Sequence, residues 1–494
     1  MFTALFAMGF WIVNILSMAT IIFVRRKEMS TTYAWLLVLI FIPVFGLLLY
    51  FFFGSTKKLE IMSKKYRLSK IEEKYMDALN DHISMVKSGQ IEFANPKTAS
   101  YRDMVTINAT NGRAFFSEDN SVELLVNGQN KFPKMFEEIR AAKESINVMY
   151  FIIKSKDPIG KELINLLAMK AAEGVQVKVL YDGLGCLKTK MKDFDPIIKQ
   201  GGKVQKFLPS TIRTLMTANY RLHRKMVIID GQICYTGGIN VGDDYLGNYA
   251  HITPWRDTSI RVTGSAVSEL QIIFFRDWIF CAKQNKKFNQ SERTVKQLNG
   301  MKEMYFPDTV YDGNVGMQVI SFGPDMKYAV HKDSYVKMCT SAKEYLYIQS
   351  PYFVPDESLL DAIRMAAQSG IDVRLMLPGI ADKGFVYKVA MSYVEELLEA
   401  GVRIYTHKGF LHAKTMVIDD YVSSVGTTNL DIRSFRLDYE VNVLSYDETF
   451  AKKCKETFLN DINDSKEIDL EEFKKRSYGD KFKESLCRFF IPLS

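Results

Sequence analysis

The sequence contains no paired cysteines. Its six cysteines stand singly along the chain, at Cys186, Cys234, Cys281, Cys339, Cys454 and Cys487. Because no two of them form a Cys-x-x-Cys pair, the spacing indicates neither a zinc site nor a disulfide framework. We therefore expect reduced thiols.

Charged side chains are absent from the start of the chain. Residues 1–24 contain none, and beyond a charged group at 25–28 a second apolar stretch covers 33–53. Since a helix needs ~20 residues to cross a bilayer, we expect two membrane helices here. A signal peptide is the alternative, but the basic start and small-residue cleavage site typical of one are missing. Pro43 and Gly46 would allow the second segment to kink or to re-enter.

The net charge of +8 is small for a chain of this length. An excess of basic residues next to a membrane is as consistent with binding anionic lipid as with binding nucleic acid. The larger basic cluster follows the second apolar segment, at Lys57, Lys58, Lys64, Lys65, Arg67 and Lys70. The positive-inside rule places this cluster, and the body of the protein, in the cytoplasm, although the group at 25–28 opposes it. We expect a multi-pass protein of the cell membrane.

One pattern of residues occurs twice. The first copy consists of His223, Lys225, Asp230, Gly237 and Asn240. The second copy has the same order and spacing, with His412, Lys414, Asp419, Gly426 and Asn429. One octet of this kind arises by chance in about a few per cent of chains, but two copies in register are very unlikely to be accidental.

Strands and helices alternate around both copies. Residues 145–153 and 175–180 have the pattern of buried strands on either side of a helix at 161–173. Related segments return about two hundred residues later, so that Ala142-Lys-Glu is matched by Ala342-Lys-Glu. The alternation predicts an α/β fold of two similar repeats packed together, with largely parallel sheets.

The expected organisation has four parts. Two membrane segments occupy residues 1–56 and a helical connector follows at 57–110. The first repeat covers 111–300, and the second covers 301–494. The chain ends in a stretch at 482–492 that fits a short interfacial amphipathic helix, with an ordinary closing helix on the core as the alternative.

The duplicated pattern suits phosphate chemistry. Alternation along a strand puts His223 and Lys225 on one face, and the same holds for His412 and Lys414. If the copies meet, lysine and asparagine hold the anionic oxygens of a phosphate diester. One imidazole then attacks phosphorus and the other protonates the leaving oxygen. The phosphate-binding amides would be those of Asn240 and Asn429.

A metal site fits this pattern poorly. The lysine between histidine and aspartate repels cations, and no cysteine or carboxylate lies at ligand spacing. We expect neither a metal nor another cofactor. The remaining histidines lack such a setting and are interpreted as structural or surface residues: His82, His251, His331 and His407.

The duplicated motif resembles the H-x-K-x4-D signature of the phospholipase D superfamily. The N-terminal apolar segments and the stretches at 235–245, 255–257, 349–356 and 429–435 are most similar to the bacterial cardiolipin synthase family. Gly238 and Thr427 depart from the pattern, because many members carry serine there. The resemblance covers nearly the whole chain and implies two phospholipase D-like repeats and a phosphohistidine intermediate.

The same resemblance assigns roles to carboxylates. It implies that Asp230 and Asp419 of the duplicated catalytic motif support the site rather than act as acids. It also implies that Asp257 and Glu440 orient the imidazoles, with solvated strand-end acids as the alternative. It favours attack by His223 with His412 as general acid, although near-symmetry of the copies leaves the reverse open.

The activity that the resemblance implies is transfer of a phosphatidyl group between two phosphatidylglycerols, giving cardiolipin and glycerol. The alternatives are hydrolysis of membrane phospholipids or nucleic acid, and non-catalytic lipid binding. Intact His-Lys-Asn sets argue against the last, and the apolar segments disfavour a nuclease. We expect phosphatidylglycerol and other anionic membrane lipids as partners, and no nucleic acid. The donor lipid, with CDP-diacylglycerol as the rival, and the oligomeric state stay open.

Aromatic side chains are candidates for excluding water from such a site, with core packing as the alternative. They are Tyr150, Phe151, Tyr352, Phe353, Phe410 and Phe435.

Overall fold

The computed structural model describes residues 2–24, 29–53, 70–208, 219–247, 253–284, 302–324, 326–489 and 491. Three features of the sequence lie outside the described residues. They are the charged group at 25–28, the basic residues at 57–67, and His251.

Three apolar helices form the N-terminal part: α1 (Phe2–Ala19), α2 (Met29–Phe41) and α3 (Pro43–Phe53). A π-helical turn, Thr20–Val24, extends α1. Helix α3 begins at Pro43, which cannot continue α2 because it lacks the backbone N–H. No helix within the described ranges is both long enough and apolar enough to cross a membrane, so the two predicted membrane helices are not confirmed.

A helical connector precedes the repeats. It contains α4 (Lys70–Lys87), a 3₁₀ turn (Pro96–Tyr101) and α5 (Arg102–Gly112). The imidazole of His82 on α4 accepts a hydrogen bond from the Phe116 N–H at 3.0 Å. This contact ties α4 to the first strand of the sheet, which agrees with the structural interpretation of His82.

The first repeat begins at that strand. Its strands are β1 (Phe116–Val126), β2 (Ser145–Tyr150), β3 (Gln176–Asp182), β4 (Lys203–Phe207), β5 (Met226–Ile229), β6 (Ile233–Gly237), β7 (Trp255–Arg256) and β8 (Thr258–Thr263). Its helices are α6 (Asn127–Ala141), α7 (Pro158–Ala172), α8 (Asp195–Lys199) and α9 (Ala266–Gln284). A short helix, α10 (Lys302–Tyr305), lies between the repeats.

The second repeat follows the same plan. Its strands are β9 (Val315–Phe322), β10 (Tyr345–Gln349), β11 (Phe353–Val354), β12 (Asp372–Pro378), β13 (Arg403–His407), β14 (Phe410–Leu411), β15 (Thr415–Ile418), β16 (Val422–Gly426), β17 (Leu430–Asp431), β18 (Glu440–Tyr446) and β19 (Ser465–Glu467). Its helices are α11 (Val330–Ser341), α12 (Glu357–Gln368), α13 (Gly384–Met391), α14 (Val394–Glu399), α15 (Ile432–Arg436), α16 (Glu448–Ile462), α17 (Leu470–Lys474) and α18 (Tyr478–Phe489).

The two repeats share one continuous sheet. Its order is β19-β13-β12-β10-β15-β16-β18-β9-β1-β8-β6-β5-β2-β3-β4. Antiparallel pairing of β1 with β9 joins the repeats, with Phe116 opposite Gln318. Apolar side chains cover both faces, and the buried cluster that includes Met226 and Val417 draws on both repeats. Burial of this shared core fixes how the repeats sit against each other.

The predicted α/β repeats are confirmed, but the prediction of largely parallel sheets is wrong near the centre. Parallel pairing is found in β2-β3-β4 and in β10-β12-β13. The pairs β5–β6 and β15–β16 are antiparallel. The reason is local: each pair is joined by a tight turn, at 230–232 and 419–421, and so short a connection cannot serve parallel strands.

Candidate active site

The two duplicated motifs meet where the repeats face each other. The backbone N–H of His223, just ahead of β5, donates to the Tyr439 carbonyl at 2.9 Å. The backbone N–H of His412, just ahead of β15, donates to the Arg256 carbonyl at 2.7 Å. Each histidine is therefore held by the backbone of the opposite repeat.

The carboxylates that contact the imidazoles also come from the opposite repeat. Nδ1 of His223 lies 2.7 Å from Oε1 of Glu440, and Nδ1 of His412 lies 2.6 Å from Oδ2 of Asp257. A carboxylate at Nδ1 fixes the plane of the ring and leaves Nε2 for a substrate. Asp257 and Glu440 are thus both in place to orient an imidazole. Both carboxylates are fully buried rather than solvated.

The two carboxylates have different second contacts. Oε2 of Glu440 accepts a hydrogen bond from the Thr427 hydroxyl at 2.5 Å, and that hydroxyl accepts from the Val441 N–H at 2.9 Å. Oδ1 of Asp257 accepts from the Thr258 N–H at 2.7 Å. A Cβ on Gly238 would lie 2.0 Å from Oδ1 of Asp257. Position 238 must therefore be glycine, because any side chain there would overlap the Asp257 carboxylate.

Each lysine of the motif folds back toward its own histidine. Nζ of Lys225 donates to the His223 carbonyl and Nζ of Lys414 to the His412 carbonyl, both at 2.5 Å. Burial lowers the pKa of Lys225 to about 8 and that of Lys414 to about 7. An anion entering the site would favour the charged form of both groups.

Burial and the nearby ammonium groups keep the imidazoles neutral. Burial, with Lys225 and Lys414 next, lowers the pKa of His223 well below its usual value. Burial and Lys414 lower the pKa of His412 to about 4, against the opposing charge of Asp257. Burial raises the pKa of Asp257, but His412 and Lys414 outweigh it and the net shift is downward. Burial raises the pKa of Glu440.

The sequence matches known proteins over its full length. The family described as "Cardiolipin synthase, PLD-like domain" matches residues 135–278 and 335–462, and "Phospholipase_D-nuclease N-terminal" matches 12–55. The major cardiolipin synthase ClsA of Bacillus subtilis is 42% identical over 488 residues, 98% of each chain. A cardiolipin synthase of Staphylococcus aureus is 38% identical, over 98% of this chain and 96% of its own.

The chain belongs to the cardiolipin synthase family. This confirms the predicted family and the predicted class of enzyme, a phosphatidyltransferase of the phospholipase D type. Among solved structures, a phosphatidylserine synthase of Haemophilus influenzae matches with a TM-score of 0.59, 15% identity, and coverage of 78% of this chain and 97% of that one. That likeness supports the fold.

Each asparagine of the motif is held by hydrogen bonds within its own repeat. Oδ1 of Asn240 accepts from the Ile152 N–H at 3.1 Å, and its Nδ2 donates to the Tyr245 hydroxyl at 3.0 Å. Nδ2 of Asn429 lies 3.3 Å from Oγ of Ser434. The side chains are held in place, and their contact with phosphate stays a prediction.

The aspartates of the motif lie at the far ends of β5 and β15. The carboxylate of Asp230 accepts three backbone N–H groups, at 143–145, at 2.8–2.9 Å. That of Asp419 does the same at 343–345, at 2.9–3.1 Å. Both residues have positive φ, 51° and 52°, in their hairpin turns, a conformation that aspartate tolerates. These contacts hold the sheet together, so the structure gives Asp230 and Asp419 no place beside the imidazoles.

Only two of the six candidate aromatic residues adjoin an imidazole. The ring centres of Phe151 and His223 are 5.1 Å apart, and those of Phe410 and His412 are 5.7 Å apart. Trp255, which belongs to the 255–257 stretch of the resemblance but was not predicted beside an imidazole, lies 5.3 Å from His412. The other four candidates make contacts elsewhere: Tyr150, Tyr352, Phe353 and Phe435.

Two arginines that were not predicted as site residues hold the backbone of Glu440 and Asp257. Arg224, between His223 and Lys225, donates from Nε to the Glu440 carbonyl at 3.1 Å. Arg256 donates from Nη1 to the Asp257 carbonyl, and its Nε contacts both carboxylate oxygens of Asp461 at 2.8 and 2.9 Å. The signal for Arg224 was its position between His223 and Lys225, and the signal for Arg256 was the resemblance at 255–257.

Proposed function

We propose that the chain joins two phosphatidylglycerols into cardiolipin and releases glycerol, through a phosphohistidine intermediate. The observation that carries this proposal is the exchange of carboxylates between repeats, which gives one site two oriented imidazoles. A site of this kind can perform attack and leaving-group protonation on opposite sides of one phosphorus.

In the first step Nε2 of His223 attacks phosphorus and the bond to the headgroup glycerol oxygen breaks. His412 donates its Nε2 proton to that oxygen, and glycerol leaves. In the second step a hydroxyl of the other phosphatidylglycerol attacks phosphorus, its proton passes to His412, and the bond to His223 breaks. Lys225 and Lys414 stabilise the charge on the remaining phosphate oxygens.

The charges around the two imidazoles support this division of roles. The pKa of His223 is lowered by burial and by cations, which favours the neutral, nucleophilic form. His412 lies against Asp257, whose negative charge opposes the lowering of the pKa of His412. A bound phosphate diester adds negative charge to the site and would raise the pKa of His412 from this lowered value. His412 is then the imidazole that carries a proton in the substrate complex.

Transfer rather than hydrolysis requires a high local concentration of lipid hydroxyls. We place the site at the membrane surface, with the apolar N-terminal helices as the anchor and phosphatidylglycerol as both substrates. The C-terminal helix α18 supports this placement because it exposes a row of apolar residues: Tyr478, Phe482, Leu486 and Phe489. Such a face suits an interfacial helix.

Product identification tests the proposal. Purified full-length protein is incubated with phosphatidylglycerol in mixed micelles, and the products are identified by mass. We expect cardiolipin and free glycerol, and reversal when glycerol is added, because one phosphodiester replaces another. Phosphatidic acid as the main product would defeat transfer. Cardiolipin formed only with CDP-diacylglycerol would defeat the choice of donor.

Activity measured in the presence of a chelator tests separately whether the reaction needs a metal ion. Within the described part of the chain, no group of three histidine, cysteine, aspartate or glutamate side chains is arranged to hold a metal ion. We expect full activity in EDTA, since two lysines already neutralise the phosphate. Activity lost in EDTA and restored by one specific divalent ion would contradict this.

A further inference from the structure

We propose that Lys131 is a positioning residue for the Asp257–His412 half of the site. Its ammonium group holds the backbone at Ile239 and supplies positive charge behind Asp257, which makes the imidazole of His412 a stronger proton donor. The inference rests on the proposed transfer reaction. Lys131 lies on α6, outside the duplicated motif.

The burial of Lys131 is unusual for its residue type. The side chain is completely buried, and its Nζ donates to the Ile239 carbonyl at 3.0 Å. The ammonium also lies 5.3 Å from the centre of the Tyr150 ring. No carboxylate among the described residues forms an ion pair with it. Because a buried charge without a direct partner is costly, the position calls for a role beyond packing.

Two contacts bring Lys131 close to Asp257. Asn127, one helical turn earlier on the same face of α6, donates its backbone N–H to the Asp257 carbonyl at 2.9 Å. Its side-chain oxygen accepts from the Asp257 N–H at 3.0 Å. In addition, Ile239 follows Gly238, which packs directly against the Asp257 carboxylate. The 238–239 segment therefore contacts Asp257 at Gly238 and Lys131 at Ile239.

The second repeat has a different residue at the equivalent place. Helices α6 and α11 both lead into Ala-Lys-Glu segments whose N–H groups bond to Asp230 and Asp419, so position 131 corresponds to 331. His331 is 1% exposed and lies near Glu440. Burial lowers the pKa of His331 to about 3, so its ring is neutral at pH 7. At this position the Asp257 half thus has a buried lysine, whereas the Glu440 half has a neutral histidine, and its buried cation is the Arg224 guanidinium at the Glu440 carbonyl.

Four titratable groups on other elements act on Lys131 or face it. Burial lowers the pKa of Lys131 to about 7, while Asp257 opposes this shift, Lys225 adds to it, and the Cys234 thiol opposes it weakly. The fourth is the Tyr150 hydroxyl group, whose pKa burial raises. A phosphate diester in the site would favour the charged ammonium. In the substrate complex Lys131 then acts as a cation.

A charged Lys131 should make His412 a stronger proton donor. The reason is that a nearby positive charge disfavours the imidazolium form and so should lower the pKa of His412. Removing the charge should raise the pKa of His412 and move the alkaline limb of the pH–kcat profile to higher pH. Leaving-group protonation should become slower, because a weaker acid donates less readily.

The test compares Lys131→Met with the matched variant His331→Met in the full-length protein. Turnover of phosphatidylglycerol is measured against pH, with thermal unfolding as a control. For Lys131→Met we expect a kcat about tenfold lower and an alkaline limb about one pH unit higher. The lost hydrogen bond to Ile239 is offset by removal of a buried charge, so the melting temperature should change little. Lys131→Arg, which keeps the charge, should retain the wild-type limb. His331→Met should leave the limb in place.

An unmoved limb in Lys131→Met would overturn the proposal, whatever happens to kcat. The same shift in His331→Met would also overturn it. If Lys131→Met fails to fold, Lys131→Gln is judged by the same criterion. The products of the wild-type protein are identified in the same assay. If they include no cardiolipin, the proposed transfer fails, whereas the limb comparison still reports on Lys131.

Discussion

The two halves of the site have the same backbone arrangement. In each, a histidine just ahead of a central strand takes its backbone contact and its carboxylate from the opposite repeat. The distances from Nδ1 to carboxylate oxygen, 2.7 Å for His223 and 2.6 Å for His412, are nearly equal. Neither repeat therefore contains a complete half-site of its own.

The halves differ in the side chains behind each imidazole. The His412 half has Asp257, Gly238 and Lys131, and the His223 half has Glu440, Thr427 and His331. The shorter carboxylate is approached closely by a glycine, and the longer one accepts a hydroxyl hydrogen bond. Symmetric geometry with unequal electrostatics allows one imidazole to attack while the other carries a proton.

Removal of either imidazole should have the largest effect. We expect His223→Ala and His412→Ala each to lower kcat by about four orders of magnitude or more, because neither group has a substitute. The circular dichroism spectrum should match that of the unaltered protein. His407→Asn, at a buried histidine outside the site, is the control and should remain active. Near wild-type turnover in either alanine variant would refute a shared site.

Replacing each carboxylate by an amide tests whether an imidazole depends on the carboxylate of the opposite repeat. We expect Asp257→Asn and Glu440→Gln each to lower kcat by about 10²–10⁴-fold, because an amide can hold the wrong imidazole tautomer. Adding Asp257→Asn to His412→Ala should cost little more, since both act on one imidazole. The double variant Asp257→Asn with His223→Ala is the matched control, because these two changes affect different imidazoles. Full additivity in the first pair would show that Asp257 does not act through His412.

The lysines test whether both halves hold the phosphate. Removing one fixed donor to a developing charge costs ~3 kcal/mol or more, so Lys225→Ala and Lys414→Ala should each lower kcat by about 10²–10³-fold. Lys383→Ala, at an exposed lysine near the site, is the control and should have a much smaller effect. Single-turnover kinetics would separate this loss from weaker lipid binding. A change confined to KM would argue against the role.

The aspartates of the motif should show the smallest effect on chemistry. Each accepts three backbone hydrogen bonds, so Asp230→Ala or Asp419→Ala should lower the free energy of unfolding by about 3 kcal/mol. The kcat of the folded fraction should stay within about tenfold of wild type, because neither carboxylate contacts an imidazole. Denaturant titration and active-site counting measure the two quantities. A large loss of kcat with no loss of stability would contradict this and show that these aspartates act in the reaction.

Sequence reasoning identified much of this arrangement because the duplication is explicit. Both His-Lys pairs, both asparagines and the alternation of strands and helices follow from spacing and periodicity. Asp257 and Glu440 came from family resemblance. The Asp230-Gly231 dipeptide was itself a hairpin signal, since such pairs favour positive φ in tight turns. Because a hairpin joins antiparallel strands, this dipeptide indicates the antiparallel pairing of β5 with β6.

The remainder depends on how the repeats face each other. The pairing of His223 with Glu440, across 217 residues, is set by the shared sheet through β1 and β9. No local pattern carries that information. Lys131 was missed for the same reason, because in sequence it is one lysine on an amphipathic helix. Its burial follows only from packing against β2 and the Gly238–Asn240 segment.

The most direct test of the unequal halves locates the covalent intermediate. A reaction of the purified protein with phosphatidylglycerol is quenched within the first turnover, digested under conditions that preserve phosphohistidine, and analysed by mass. We expect a phosphatidyl group on the peptide that contains His223 and none on the peptide that contains His412. Label on the His412 peptide, or turnover without label on either histidine, would contradict it.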